Sequence, residues 1–341
     1  MEANYSRTYI GMHHRIRNPY IKDEDIADIV KEYKKEIHKC DLSSFELMTF
    51  IAFTYFQKEK CDIAIIECGM GGEIDATNVF NPILSIITSI SLEHTSFLGR
   101  TISEIALQKA GIIKEGVPVL IGELNEEAKD VISMEAKEKE SKIYELAEAH
   151  APTLTNEGYI FSYGKIEDIH IQSRALYSVK DACLAIDAIN ILLEQYPVNN
   201  EQIKVGLNKV EMSCRMDISK KDNLLIIDGA HNPEAMEKFA KSLQNYCKNQ
   251  QIHVLFACFK DKNLVQMLSI IGAVSDSITL TTFDHPRARK EDDYFLFLND
   301  YSFYSDPIEA YHLLKEQHPE DYIVITGSLA FAAYMKRRLD E

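Results

Sequence analysis

Short apolar runs rich in Ile and Val alternate along this chain with longer stretches whose apolar residues recur every three or four positions. The short runs suit strands buried on both faces and the longer stretches suit amphipathic helices, so the rhythm is that of α/β units with parallel strands. In the first half it predicts a helix over Phe45 to Phe56, strands over Ile63 to Glu67 and Ile83 to Thr88, a helix over Ile102 to Ile113 and a strand over Val117 to Ile121. A charged stretch from Glu123 to Lys142 has helical spacing. Residues 143 to 176 are less regular, with a short strand at Tyr159 to Ser162, and a helix over Val179 to Leu193 follows.

The second half opens with Leu224-Leu225-Ile226-Ile227-Asp228, then Gly-Ala-His-Asn-Pro, then a helical stretch from Glu234. That is strand, tight turn and helix, with proline near the first helical position. Strands at His253 to Ala257, Ser277 to Leu280 and Tyr322 to Thr326, separated by helices, extend it into a smaller Rossmann-like α/β domain. At 341 residues the chain exceeds the roughly 250 to 300 at which one core stops growing, so two domains are expected. The turn signals of Glu-Gln-Tyr-Pro-Val-Asn-Asn put the division at residues 1–197 and 198–341.

Composition narrows the classes. With 46% hydrophobic and 26% charged residues and no apolar stretch near the roughly 18 residues of a membrane span, the reading is a soluble globular protein. Met-Glu-Ala-Asn-Tyr-Ser-Arg at the start has no apolar run behind a basic cluster, so a cytoplasmic location is expected. Seven cysteines without a C-x-x-C pair argue against a zinc site and a disulfide framework, and most are expected to be reduced core residues. A formal charge of -16 argues against a nucleic-acid backbone or an anionic membrane as partner. It says nothing against ATP, because a few amides, cations and a metal suffice to hold a triphosphate.

Candidate chemistry gathers at strand ends. Ile65-Ile66-Glu67 runs into Cys68-Gly69-Met70-Gly71-Gly72-Glu73-Ile74-Asp75-Ala76-Thr77-Asn78, and ligands of open α/β sheets gather outside the carboxyl ends of strands. Glu67 there is either a group that meets metal or substrate, or a polar strand terminus beside glycines that merely turn the chain. His94, in Thr88-Ser89-Ile90-Ser91-Leu92-Glu93-His94-Thr95, could share a divalent ion with Glu67 or be simply hydrogen-bonded. Lys109, in Gln108-Lys109-Ala110-Gly111-Ile112-Ile113-Lys114, reads from spacing alone as a lysine snorkelling from a helix face.

In order and spacing these stretches resemble the folylpolyglutamate synthase and dihydrofolate synthase branch of the Mur ligase family, whose pattern runs approximately E-V-G-x-G-G-R-x-D-A-T-N, T-S-I-x-x-D-H-T-x-x-L-G and E-K-A-G-I-I-K. The likeness continues through Cys214-Arg215-Met216-Asp217 (G-R-x-E), Asp228-Gly229-Ala230-His231-Asn232-Pro233 (D-G-A-H-N-P), Phe259-Lys260-Asp261-Lys262-Asn263, Pro286-Arg287-Ala288 and Thr326-Gly327-Ser328-Leu329. Upstream, Ser44-Phe45-Glu46 is similar to the family's T-x-F-E. Several residue types in fixed order are far more specific than one loop motif.

The resemblance implies a Mur-ligase-like α/β fold, with a P-loop-type parallel-sheet domain followed by the Rossmann-like one. It implies an ATP-dependent ligase that phosphorylates a substrate carboxylate, which the glutamate amine then attacks. Dihydropteroate or a folate would be the acceptor, and the substrates would meet in the cleft between domains. By the same resemblance Glu67 and His94 would ligate Mg²⁺, and Lys109 would be carbamylated and serve catalysis with His94. Ser44, Phe45, Glu46, Ile74, Asp75 and Ala76 would meet the pterin, and Asp181, Arg215, Asp228, His231 and Asn232 would meet ATP.

The chain departs from the family at named places. No G-x-x-x-x-G-K-[ST] occurs in it, so the expected first domain is incomplete, and Ser6 to Tyr9 and His14-Arg15-Ile16 read as remnants of segments that come after that loop. Glu73 replaces an arginine, Cys214 a glycine, and Asp181 an ATP-contacting asparagine. These departures predict weak ATP binding and low stability in a chain otherwise expected to be a monomer, and they support a rival reading: a non-catalytic descendant, or a fragment complemented by a separate chain that carries the loop. A Mur-type ligase acting on a cell-wall precursor is a third reading, which the T-x-F-E-like segment argues against.

Overall fold

Two compact units divide the chain, one ending at Tyr144 and the other beginning at Glu145. The structure, a computed structural model, describes residues 21–95, 97–248 and 250–340; Ser6 to Tyr9 and His14 to Ile16 lie outside the described residues.

In the first unit, helices α1 (Asp23–Glu32), α2 (Lys34–Cys40) and α3 (Ser44–Lys58) come first. Ser43-Ser44-Phe45-Glu46 starts α3 as a capping box. The Glu46 amide donates to Ser43 Oγ at 3.3 Å, and the Ser43 amide donates to Glu46 Oε2 at 2.8 Å. Ile21, Ile29 and Ile51 form a small core between α1 and α3. Strand β1 (Ser85–Ile87), helix α4 (Ile102–Ala110), strand β2 (Val119–Ile121), helix α5 (Glu126–Glu138) and strand β3 (Ile143–Glu145) come next, and the strands lie in that order in one sheet. β1 and β2 are parallel, Ser85 facing Val119 and Ile87 facing Ile121. Ile87, Ile105, Ala106, Val119, Ile121 and Ile132 pack between sheet and helices.

One expected strand is absent. Residues 63–67 form no regular element and pair with no strand among the described residues, and Ile63 and Ile65 stand 40% and 62% exposed. An apolar run fixes where a strand can form, but a ladder also needs a neighbour on which to place its N–H and C=O groups.

The second unit begins with an antiparallel sheet, β4 (His150–Thr155), β5 (Gly158–Tyr163) and β6 (Ile166–Ile171). Its inward residues Tyr159, Phe161 and Ile169 pack against Val179 and Ile186 of α6 (Tyr177–Leu192) and Ile203 of α7 (Asn200–Asn208). After this come β7 (Asp217–Ile218), β8 (Leu225–Ile227), α8 (Pro233–Cys247), β9 (Ile252–Phe256), α9 (Leu264–Gly272) and β10 (Ser277–Thr281). The chain closes with β11 (Ser302–Tyr304), α10 (Pro307–Gln317), β12 (Tyr322–Thr326) and α11 (Leu329–Asp340). The six strands lie in the order β11-β10-β9-β12-β8-β7, parallel except for β7 against β8. Every residue of β8, β9 and β12 is buried, as the near-continuous apolar runs require of a sheet covered on both faces.

α6 falls in the second unit, tied to α8 and to the turn before it. The Leu176 amide donates to Ser242 Oγ at 3.1 Å and the Tyr177 hydroxyl to Asp228 Oδ2 at 2.7 Å. Among the described residues no helix is long and apolar enough to cross a membrane.

Candidate active site

Asp228 follows the last residue of β8, where a central strand ends and the chain turns into α8. Its side chain is buried and receives three hydrogen bonds: from Tyr177 Oη at 2.7 Å, the Met216 amide at 2.7 Å and the Ala230 amide at 2.8 Å. Burial pushes its carboxyl up, opposed by these donors and by the Arg215 charge. The same carboxylate pushes the Tyr177 phenol further up, after burial, the larger cause. Asp228 thus pins the Gly229-Ala230-His231-Asn232 turn against the loop that carries Arg215, while Gly229 N donates to Cys214 O at 2.9 Å. A Cβ at Gly229 would lie 2.8 Å from Arg215 Nη1 and 3.1 Å from Leu329 Cα, so the guanidinium lies close over this turn.

Asn232 is the N-cap of α8: its Oδ1 accepts from the Ala235 amide at 2.7 Å, and Pro233 takes the first helical position. His231 Nδ1 lies 2.9 Å from Gly229 O. Asp181 sits one helical turn after Tyr177 on α6. It is open to solvent on the wall of a cavity that Arg215 also lines. The enclosing protein raises its carboxyl, with Lys238 and Arg215 opposing. Asp181, Arg215 and Asp228 are therefore brought together, with a helix N-terminus suited to an anion beside them. Sequence reasoning missed Tyr177 and Lys238. Their signal was the four-residue spacing from Tyr177 to Asp181 and from Glu234 to Lys238, the latter pair in contact at 2.5 Å.

β9 and β12 are parallel neighbours, so their carboxyl ends lie side by side at the edge where ligands of open α/β sheets gather. Gly327 stands there at φ +110°, and a Cβ on it would meet Ala257 O at 2.6 Å. Arg287 Nη2 donates to Asp261 Oδ1 at 2.8 Å, and the Lys260 amide to Arg287 O at 3.0 Å, which locks two of the sequence motifs together. Thr326 Oγ1 is buried with no hydrogen-bond partner among the described residues, an orphan that a polar ligand would satisfy.

In the first unit the glycine-rich turn is folded against the end of α4. The Glu73 amide donates to Gln108 O at 2.8 Å, and Asn78 Nδ2 donates to Gly111 O at 2.9 Å. A Cβ at Gly72 would meet the carbonyls of Gln108 and Lys109 at 2.8 and 3.0 Å, and one at Gly69 would meet the Phe45 ring at 2.5 Å. Asp75 is buried and spans the turn, accepting from the Met70 amide at 2.8 Å, the Thr77 amide at 2.9 Å and Thr77 Oγ1 at 2.6 Å. Its carboxylate is thus taken up by the turn itself, whereas Ile74 is 85% exposed and Ala76 half-buried. Glu46 is likewise occupied at its cap, and its carboxyl is held low by the Ser43 hydrogen bonds. Ser44 is exposed. Lys109 is half-buried, and its charge reaches Cys68 in the turn. Glu67 and His94 are both exposed, and His94 adopts φ 50°, a conformation that histidine enters more readily than most residues.

Residues 214–329 match the family model described as "Mur ligase, glutamate ligase domain". Over 340 residues the chain is 33% identical to the dihydrofolate synthase/folylpolyglutamate synthase of Bacillus subtilis, an alignment covering 94% of this chain and 79% of that protein. It is 30% identical to the folylpolyglutamate synthase of Lacticaseibacillus casei over 88% of this chain and 72% of that one. The chain belongs to the folylpolyglutamate synthase and dihydrofolate synthase family. Its fold matches that of a Thermotoga maritima folylpolyglutamate synthase with a TM-score of 0.80 at 27% identity, covering 98% of this chain and 83% of that one. It also matches a folylpolyglutamate synthase in complex with AMPPCP and folate, with a TM-score of 0.83 at 26% identity, covering 97% and 81%. Members of this family are ATP-dependent, amide-forming ligases built on the Mur-ligase α/β fold.

Proposed function

We propose that this chain joins L-glutamate to the carboxylate of dihydropteroate or a reduced folate, using ATP and passing through an acyl phosphate. The observation that carries this reading is the 33% identity to the Bacillus subtilis enzyme across 94% of the chain. Asp228 holds the turn that opens α8, Arg215 presents its cation over Gly229, and the α8 N-terminus adds backbone amides, a set suited to a nucleotide's phosphates. The strand ends at Gly327 and Thr326, with the unpartnered Thr326 hydroxyl, are where the small, polar amino-acid substrate would be met. In the other unit Phe45 and exposed Ile74 offer flat and apolar contacts to a pterin, while Asp75 and Glu46 act by holding their loops.

Mg²⁺ takes oxygen ligands by preference. Glu67 supplies one, His94 is a poorer donor, and a carbamylated Lys109 would add a carboxylate, so the donor types fit an ion that keeps waters and phosphate oxygens. When bound, such an ion offsets the negative charge that develops on the transferring phosphoryl group. Native mass spectrometry tests the carbamate. A carbon dioxide adduct that disappears in Lys109→Arg supports it, and a bare wild-type mass removes it.

The decisive assay incubates the full chain with MgATP, glutamate and either dihydropteroate or tetrahydrofolate, following ADP release and product mass. Equal amounts of ADP and glutamylated product are expected, and the preferred acceptor names the activity. A second reading is favoured by Asp181 and Glu73, which put carboxylates where the resemblance has an amide and a cation. On it the chain binds a folate without turnover, and folate binding with no ADP would establish that instead.

A further inference from the structure

His253, His318 and Asp321 form a cluster at the end of the six-stranded sheet opposite the Asp228 turn. β8, β9 and β12 are parallel. Asp228 follows the carboxyl end of β8, whereas His253 stands near the amino end of β9 and Asp321 directly precedes β12. His318 ends α10 as its C-cap. His253 Nε2 lies 3.3 Å and His318 Nδ1 3.6 Å from Asp321 Oδ2, and the three ligand atoms all fall within 4.8 Å of one another. The two imidazoles are stacked, centroids 3.4 Å apart and planes 18° from parallel, so their in-plane lone pairs meet on one ion only when the partly exposed His318 ring turns out of the stack.

We propose that these three side chains form a binding site for a borderline divalent transition-metal ion of the zinc and cobalt class. Metal–nitrogen and metal–oxygen bonds of about 2.0 to 2.2 Å put tetrahedral ligands roughly 3.4 Å apart, the spacing the carboxylate oxygen already has to both imidazole nitrogens. Two imidazoles and one carboxylate select such an ion over Mg²⁺, which prefers oxygen. The outer partner is present too. His253 Nδ1 lies 2.7 Å from Ser277 Oγ on the neighbouring strand, a contact that orients the ring, and with the proton on Nδ1 the metal-binding nitrogen is Nε2. His253 is buried, while the side chains of His318 and Asp321 keep 30% and 25% of their surface. The ion therefore has an entry path and a fourth position for water. Bound there, it would tie the amino ends of β9 and β12 to the end of α10.

The test uses the chelator-treated full chain titrated with Co²⁺, combining equilibrium dialysis with visible absorption. We expect an intense tetrahedral-type band from one Co²⁺ per chain, bleached by Zn²⁺ and unaffected by excess Mg²⁺. His318→Ala should abolish the band, and Ser277→Ala should weaken binding about tenfold to a hundredfold, with circular dichroism confirming that both variants fold. Should His318→Ala fail to fold, Ser277→Ala carries the test alone. No tetrahedral band in the wild type, a band that excess Mg²⁺ removes, or variants that bind Co²⁺ as the wild type does would each overturn the site and leave a hydrogen-bonded His–Asp pair.

Discussion

Asp228 and Asp181 show what single residues reveal before a structure and what they conceal. Asp228 was legible because an apolar run ended in a carboxylate before Gly-Ala-His-Asn-Pro. Tyr177, which donates to it, was not, because it stands 51 positions away. Asp181 makes a testable case. Its surroundings raise its carboxyl, so the folded state holds that proton to higher pH than the unfolded chain. Its contribution to stability is therefore full below the ordinary carboxylate range near pH 4 and is lost as pH rises through the raised value. Asp181→Asn should unfold at higher urea than the wild type at pH 7, with the gap closing below about pH 4; a variant less stable at pH 7 would contradict this. If Asp181 faces ATP as proposed, calorimetry should also show tighter ATP binding by about 1 kcal/mol, a factor of roughly five. A different outcome is expected at Gly111, where a Cβ would come within 2.4 Å of Glu73 Cα and 2.8 Å of Glu73 N. Backbone cannot yield as a side-chain tip can, so Gly111→Ala should cost about 1 to 3 kcal/mol in urea unfolding.

Elements were read from the sequence in proportion to how far their signals were local. Tyr322–Thr326 is the strand its apolar run predicts, and the strands near 225, 253 and 277 shift by a residue or so. Edge strands β7 and β11 escaped notice, since two or three half-buried residues carry little pattern. The metal-type cluster was missed for a related reason: its ligands span 253 to 321, so no spacing rule for cysteine or histidine pairs could find them. Ser43 and Glu46 show the opposite case, in which a local S-x-x-E signal for a helix start overlapped the segment Ser44 to Glu46 read as a pterin contact. Asn232 raises the same question for ATP, and two substitutions separate cap from contact. Asn232→Ala should cost about 1 kcal/mol of stability, whereas Asn232→Asp, whose carboxylate caps equally well, should cost little. Denaturation curves measure both. Equal loss in the two variants would mean that the cap is not what Asn232 contributes to the fold.

Charge acts on the molecule as a whole. With 37 basic and 53 acidic side chains the formal charge is -16, and like charges confined to a folded chain repel one another more than in the expanded unfolded state. Many of the ion pairs that oppose this are exposed, as Lys220 with Glu211 and Lys58 with Glu32 are, and exposed pairs contribute little. Screening should therefore weaken the net repulsion more than it weakens the attraction. Raising ionic strength from 0.01 to 0.15 M shortens the screening length from about 30 to about 8 Å, short enough to uncouple charges on opposite sides of a unit while leaving partners in contact largely paired. We expect the unfolding temperature to rise by a few degrees over that range in sodium chloride, most steeply at the low-salt end. A flat or falling curve would mean that local pairs such as Lys315 with Asp222 and Lys336 with Asp217 outweigh the net charge.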